Sequence, residues 1–354
     1  MHRATPEKIQ HLKRITPVAR RQTIGEMANR GFAASGEAPA GLLLVGDSGV
    51  ACHELGEVLG VCAEAPLPRI SVMQQDYSLS GVCGIASLLQ NWGLAPIVSC
   101  PLGHGQASVL QRRLLAKARV SSVVLSTGLP QISRYIRRIF ASGHQLAHLE
   151  AEEAIPSASP LKVKRGLNAL VRRLKGARLL CIVDQGNAGL NENILVKLTA
   201  SAKAQGVQVL YEPRCPQLPS CRISDVVKIN HNQVKQWFGT NSESDRQALM
   251  AAQRVLARTG ATSVVYTRGA RGILVLKRSR RGYESFHIVP EPKKIYDLVS
   301  AGDVVTAALA FCLTKGYSLL EAVCLAATAA ELSLDQRYDK HINLQSILRN
   351  RNNQ

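Results

Sequence analysis

Short apolar runs recur along this chain at helix-length intervals, and they constrain its fold more than any other feature. Leu42 to Val45 and Leu179 to Val183 are the most apolar, with further strand-like runs at Ile97 to Cys100, Val120 to Leu125 and Val207 to Tyr211. A strand apolar along its whole length is one buried on both faces, as in a parallel sheet covered by helices. Helical segments from Gln106 to Ala118 and from Asn191 to Gln205 lie between the runs and supply the crossovers that parallel strands need. At 354 residues the chain has room for one large α/β domain or two smaller ones. No repeat of 20 to 50 residues is visible.

Strand ends gathered at one edge of such a sheet are where ligands bind. Asp184 and Glu212 end two of the predicted strands there. The stretch from Ile295 to Phe311 carries more chemistry: an acidic loop runs into a long apolar helix predicted over Ala301 to Thr314, with another over Leu319 to Leu332. Ser300, Ala301 and Gly302 are small enough for the backbone to approach a ligand closely. Asp303 stands at the helix start, among N–H groups with no intrahelical acceptor. Amides and dipole there can hold a phosphoryl group while Asp303 takes a proton from a hydroxyl. The plainer role for Asp303 is that of a helix cap.

Composition narrows the class. Hydrophobic residues at 46% exclude disorder of the whole. The apolar runs are too short to cross a bilayer and no signal-peptide pattern opens the chain, so a soluble cytoplasmic protein is expected. Nine cysteines are scattered, mostly in apolar segments, with no C-x-x-C and no metal-ligand spacing. The charge is unusual: 44 basic against 25 acidic residues leave +19. Such a field attracts phosphorylated ligands, nucleic acid or anionic membrane. Residues 1–39 read as a basic N-terminal arm and 341–354 as a basic C-terminal tail, around a domain at 40–340. Lys162, Lys164, Arg165, Arg172, Arg173 and Lys175 would spread around one exposed helix, where weak polyanion binding, as to RNA, competes with simple solvation.

Asp297-Leu-Val-Ser-Ala-Gly-Asp303 resembles the D-x-T-G-A-G-D signature of the ribokinase (PfkB) family of carbohydrate kinases, with Val299 for Thr and Ser300 for the first Gly. Val45-Gly-Asp47, followed by Glu64-Ala-Pro-Leu-Pro68, is similar to the heptose 7-phosphate kinase domain of bifunctional ADP-heptose synthase. Ser80 to Gly93 falls on that family's G-G-A-A-N-V-A helix start, keeping Gly81 but placing Gly84 at the Asn position. Ala51 stands where V-G-D-x-x-x-D ends. Arg134 to Glu153 falls on the T-K-x-R to Q-Q-L-x-R-x-D segment, Asn230 to Gln233 on N-x-x-E, and Val265 to Gly272 on V-T-x-G-x-x-G. The likeness spans about residues 40 to 335 and concerns the kinase part alone.

The resemblance implies an α/β, ribokinase-like three-layer fold with a mostly parallel central sheet and a small β lid from the Arg69 and Arg138 regions. It implies an ATP-dependent kinase for a sugar or sugar phosphate, heptose-phosphate-like, with Mg²⁺ on the nucleotide and no dedicated metal ligands. Asp303 would be the base and the amides of Ala301 and Gly302 the anion hole. Asp47, Gly81, Arg138 and Asp184 would meet substrate, and Asn230, Thr267 and Gly272 the nucleotide. A homodimer through the lid is expected. The changes at Ala51, Gly84, Gln233 and Ser300 support a second reading, a catalytically impaired homologue acting as a binding or scaffold protein.

Overall fold

The computed structural model describes residues 12–31, 41–142, 144–215, 224–291, 301–334 and 342–349. The apolar runs become neighbours in one ten-stranded sheet. At its centre are β2 (Gly41–Gly46), β9 (Ala177–Val183), β10 (Gln208–Glu212) and β11 (Val226–Asn230), flanked by β5 (Ile97–Cys100) and β6 (Ser121–Val124) on one side. On the other side lie β12 (Ser263–Thr267), β13 (Ile273–Ser279), β14 (Gly282–Ile288) and β1 (Lys13–Ile15). The order is β1-β14-β13-β12-β11-β10-β9-β2-β5-β6, and only β13 runs antiparallel to its neighbours.

Alternation within the apolar strands assigns side chains to two helix layers. Leu42, Leu44, Leu179, Cys181 and Val183 pack with α2 (Val82–Asn91), α8 (Ala301–Thr314) and α9 (Leu319–Leu334). Leu43, Val45, Leu180 and Ile182 face the other way, against α4 (Pro160–Arg173) and α5 (Glu192–Ala204). The same outer layer continues with α6 (His231–Phe238) and α7 (Asp245–Thr259), packed on β11 to β13. α3 (Gln106–Lys117) joins the first layer through Leu115, and α10 (Leu344–Arg349) through Ile347. Helix α8 shows buried side chains at every position from Val304 to Thr314, as a helix sandwiched between a sheet and another helix must.

The expected lid is a separate four-stranded sheet in the order β4-β3-β7-β8. Its strands are β3 (Ser48–Val61), β4 (Pro68–Gly81), β7 (Gln131–Ala141) and β8 (His144–Ile155). The lid region expected around Arg69 is part of a 14-residue strand, because the antiparallel ladder with β3 carries it on to Gly81.

Residues 1–39 are not all an arm. Lys13 to Ile15 add a parallel strand to β14, and α1 (Pro17–Asn29) lies on α9 with Ile24 and Met27 in the core. Thr16 caps α1, accepting from the N–H of Ala19. One of the basic residues of this segment, Arg20, is itself buried and donates twice to Glu331, at 2.8 and 2.6 Å. Residues 1–11 and 32–40 lie outside the described residues, as do 341 and 350–354 of the expected tail; the rest of that tail is not a free extension, since Ile342 and Ile347 are buried in the core. Among the described residues no helix is long and apolar enough to cross a membrane.

Candidate active site

The carboxyl ends of β2, β9, β10 and β11 open on one edge of the sheet, and α8 starts there. Glu212, the last residue of β10, accepts from the Nζ of Lys228 on the neighbouring β11 at 2.9 Å, and both are buried. The other oxygen of Glu212 accepts from Thr306 Oγ1 at 3.3 Å, one turn into α8. A Cβ placed on Gly302 would sit 3.7 Å from Lys228 Nζ, so this ammonium lies beside the open N-terminal turn of α8. A buried cation and a helix N-terminus side by side form a site for anionic oxygens.

Asp303, in that first turn, is partly open to solvent. Its Oδ2 accepts from the N–H of Gly81, which begins α2, at 3.3 Å. Two helix N-termini therefore converge on one carboxylate. Burial, and next the charge of Glu212, push the Asp303 carboxyl up to about 6; Lys228, the Gly81 amide and Arg138 pull the other way. A carboxylate with its proton affinity raised towards neutrality suits a general base.

Gly81 has φ +59°, and a Cβ on it would lie 2.3 Å from the carbonyl oxygen of Asp47. Only glycine fits this turn without displacing backbone. Asp47 is buried, and its carboxylate accepts from the backbone N–H groups of Gln185 and Asn187, at 2.5 and 2.7 Å. It thus holds the loop that follows β9. Burial raises its pKa against those hydrogen bonds and Arg134. Asp184, in the same loop, is buried beside Tyr211 OH (3.3 Å), the Gly186 N–H (3.1 Å) and the Arg214 guanidinium (3.7 Å). Burial first, then Asp47, push its carboxyl up to about 6, with Arg214 opposing. Asn187, with its amide oxygen turned to Arg134, accepts from that guanidinium at 2.6 and 2.9 Å. Lid strand β7 is thereby tied to the sheet edge.

Arg138, also on β7, is buried and close enough for its charge to act on Asp303. Its register partner on β3 is His53, whose ring accepts from or donates to Ser78 Oγ at 3.0 Å. Burial and then the Arg138 charge lower His53 to about 4, Asp76 opposing, so it is neutral at physiological pH. Gly81 and Arg138 are thus the two expected substrate-side residues that act on the base, the first through its N–H and the second through its charge.

The three nucleotide-side residues have structural duties. Asn230 and Gln233 form a reciprocal cap on α6, at 2.9 and 2.8 Å, and the Gln233 amide also donates to Pro213 O at 3.0 Å. Glutamine at that position is well suited to this, since it both donates and accepts. Thr267 donates to Ile229 O at 3.2 Å. Gly272 has φ +78°, and a Cβ there would meet Ile288 O at 2.1 Å. A Cβ on Gly84 would stand 2.7 Å from Leu79 O and 4.0 Å from Asp303 Oδ2. Position 84 therefore faces the base, but the local backbone admits no side chain. Ala51 is buried in β3, paired with Ser78 and Ile136.

Asp297, Val299 and Ser300 lie outside the described residues. Ala301, Gly302, Asp303, Gly81 and Arg138 come together, with Asp47 joined through Gly81; Asp184 neighbours Asp47. Asn230, Thr267 and Gly272 end or follow strands at the same edge, further along the sheet. Lys228 and Thr306 were not foreseen. A lysine in Val226-Val-Lys-Ile-Asn230, an otherwise apolar strand, was the available signal: burying an ammonium demands a partner and a reason.

A family model described as pfkB family carbohydrate kinase matches residues 154–344. The chain is 27% identical over 289 residues to bifunctional protein HldE of Paramagnetospirillum magneticum, covering 82% of this chain and 58% of that protein. It is 25% identical over 292 residues to bifunctional protein HldE of Vibrio cholerae, covering 82% and 59%. The chain spans about three-fifths of the length of these relatives. Phosphofructokinase-2 from Escherichia coli in complex with potassium superposes with a TM-score of 0.72 at 17% identity, over 89% of this chain and 100% of that one. Arabidopsis thaliana ribokinase complexed with ribose and ATP gives 0.63 at 17% identity, over 90% and 100%. At such identities the structural likeness is one of fold.

Proposed function

The chain belongs to the pfkB family of carbohydrate kinases, and from that premise we propose that it transfers the terminal phosphoryl group of ATP to a hydroxyl of a sugar or sugar phosphate, with Asp303 as the base. The observation that carries the proposal is the convergence of the α2 and α8 N-termini on Asp303, beside the buried Lys228.

Asp303 accepts the hydroxyl proton as the oxygen attacks, and its pKa of about 6 leaves it ionised at neutral pH. The N–H groups of Ala301 and Gly302, with Lys228, stabilise the charge on the phosphoryl oxygens. Arg138 faces the acceptor from the lid, and the ties from Arg134 to Asn187 and from Asp47 to the β9 loop keep lid and sheet edge in register.

Positive helix ends, an ammonium and a guanidinium fit a nucleotide polyphosphate. ATP would supply the transferable group, and a divalent cation, Mg²⁺ in this reading, would neutralise its phosphates. The cation would be carried largely by the phosphates. The likeness of Val45-Gly-Asp47 and Glu64-Ala-Pro-Leu-Pro68 to a heptose 7-phosphate kinase domain favours a heptose-phosphate-like acceptor, whereas Ala51 and the bare backbone at Gly84 offer fewer hydroxyl partners than that family motif. The lid exposes Val58, Val72, Met73, Tyr77 and Leu149, a surface suited to the lid of a second copy.

Calorimetric titration with Mg-ATP, then phosphorus NMR over a panel of sugars and sugar phosphates, tests the proposal. Binding and transfer to at least one acceptor are expected. No binding at millimolar Mg-ATP would contradict it and favour the scaffold reading.

A further inference from the structure

The layer opposite α8 carries a charge that phosphoryl transfer does not use. On α4 and just beyond it, Lys162, Lys164, Arg165, Arg172, Arg173 and Lys175 are all exposed, and none pairs with a carboxylate among the described residues. The neighbouring α5 adds exposed Lys197 and Lys203. At 100° per residue the six cations of α4 cover the half of the helix opposite Leu170 and Leu174, with Lys162 above Arg173 and Lys164 above Lys175. The apolar half is spent on the core: Leu170 and Leu174 are buried, and Val163, Leu167 and Val171 pack beside them.

Two features show what this face can bind. In a parallel sheet the crossover helices end at the edge where strands begin, so Arg172, Arg173 and Lys175, just before β9, lie at the edge remote from Asp303. They cannot serve its substrate. Secondly, α4 has no apolar stripe left for a bilayer, Leu161 being its one strongly exposed large apolar residue, and neither helix has an aromatic ring for stacking on bases. What remains is a rigid, sequence-indifferent array of cations.

We propose that the outer face of α4 and α5 binds the phosphodiester backbone of a double-stranded nucleic acid. The 14-residue helix is about 21 Å long, a length of duplex bearing roughly a dozen phosphates. With about six of them neutralised, affinity falls about 10³-fold between 50 and 200 mM salt. Backbone contacts of this kind position a protein without reading sequence. The proposal does not depend on the kinase reading.

Fluorescence anisotropy of the full chain with mixed-sequence 20-base-pair RNA and DNA duplexes tests it and separates the two sources of phosphodiester. The expected result is binding at 50 mM salt with the steep decline above and little sequence preference. A variant with Lys162, Lys164, Arg165, Arg172, Arg173 and Lys175 all changed to Gln should bind at least tenfold more weakly with a shallower salt slope, its melting curve unchanged. A control with Lys277→Gln, Arg280→Gln and Arg281→Gln, also exposed, should stay within about threefold of the parent in the same salt range. No binding at 50 mM salt, equal binding by the α4 variant, or binding to phosphatidylserine vesicles in preference to either duplex would overturn the proposal.

Discussion

Lys228 and Glu212 face each other across neighbouring parallel strands, Nζ to Oε1 at 2.9 Å, under the first turn of the helix that carries Asp303. Two ionised groups out of water are costly, and similar shapes built from apolar side chains are usually as stable. Their place beneath an anion site supplies the reason for keeping them. Lys228→Met strands Glu212 without its cation and should cost about 3–5 kcal/mol in urea denaturation. Lys228→Met with Glu212→Leu should recover most of that stability but not phosphoryl transfer. Full activity in the double variant would remove Lys228 from the mechanism.

Asp303 sets two pH dependences of opposite sense. As a base it must be ionised, so kcat/KM should rise with pH to a plateau, with its midpoint near the Asp303 pKa of about 6. Glu212→Gln removes a charge that raises that pKa, and the midpoint should move to lower pH. For folding, the ordinary carboxyl value is 3.8 and the folded value about 6, so the native state binds the extra proton between the two. Stability from this group is present below the lower value and is lost as pH rises to the upper. Asp303→Asn should therefore melt a few degrees higher than the parent at pH 7.5 and not at pH 4, while losing about 10²- to 10⁴-fold in turnover. An unchanged turnover would mean that Asp303 is a cap.

Restoring the family's asparagine at position 84 should fail. The Cβ of Gly84→Asn would lie 2.7 Å from the carbonyl oxygen of Leu79, and backbone cannot yield there without moving β4 against α2. A loss of about 1–3 kcal/mol in thermal or denaturant unfolding is expected. A variant as stable as the parent and more active on heptose 7-phosphate would show that the helix start relaxes, and that the missing amide alone limits the acceptor.

The N-terminal segment should prove part of the domain. Arg20→Leu leaves Glu331 buried without the guanidinium that donates to both its oxygens, a change expected to cost about 3–5 kcal/mol. Removing residues 1–39 would also take Ile15, Ile24 and Met27 out of the core and uncover the apolar side chains they pack against, and soluble folded protein should not be recovered. A truncated chain melting like the parent would restore the view of these residues as an arm.

Strands and helices were legible where one residue pattern decided them. Leu179 to Val183, Ile97 to Cys100 and Ala301 to Thr314 fall within two residues of the observed elements because apolar runs between turn residues leave few alternatives. β3 was not read, since Ser48 to Val61 mixes Cys52, His53 and Glu54 into a strand whose burial comes from lid partners far along the chain. β1 and α1 were hidden by charge: Arg20 reads as solvated until its partner at position 331 is known. At the site, Gly81, Arg138 and the Asp303 turn carried recognisable patterns. Lys228 was marked only by its place in an otherwise apolar strand, and the duties of Asn230 and Gln233 as mutual caps are visible only in the hydrogen bonds.

The central claim, that Asp303 and the surrounding positive groups transfer a phosphoryl group, is tested most directly by phosphorus NMR of the parent and the Asp303→Asn variant. Each would be incubated with Mg-ATP and a panel of sugars and sugar phosphates. The account predicts ADP and one new phosphate ester, equal in amount, from the parent, and at least a hundredfold slower formation by the variant, with Mg-ATP affinity within a few fold. No ester with any acceptor, or the same rate in both proteins, would contradict it.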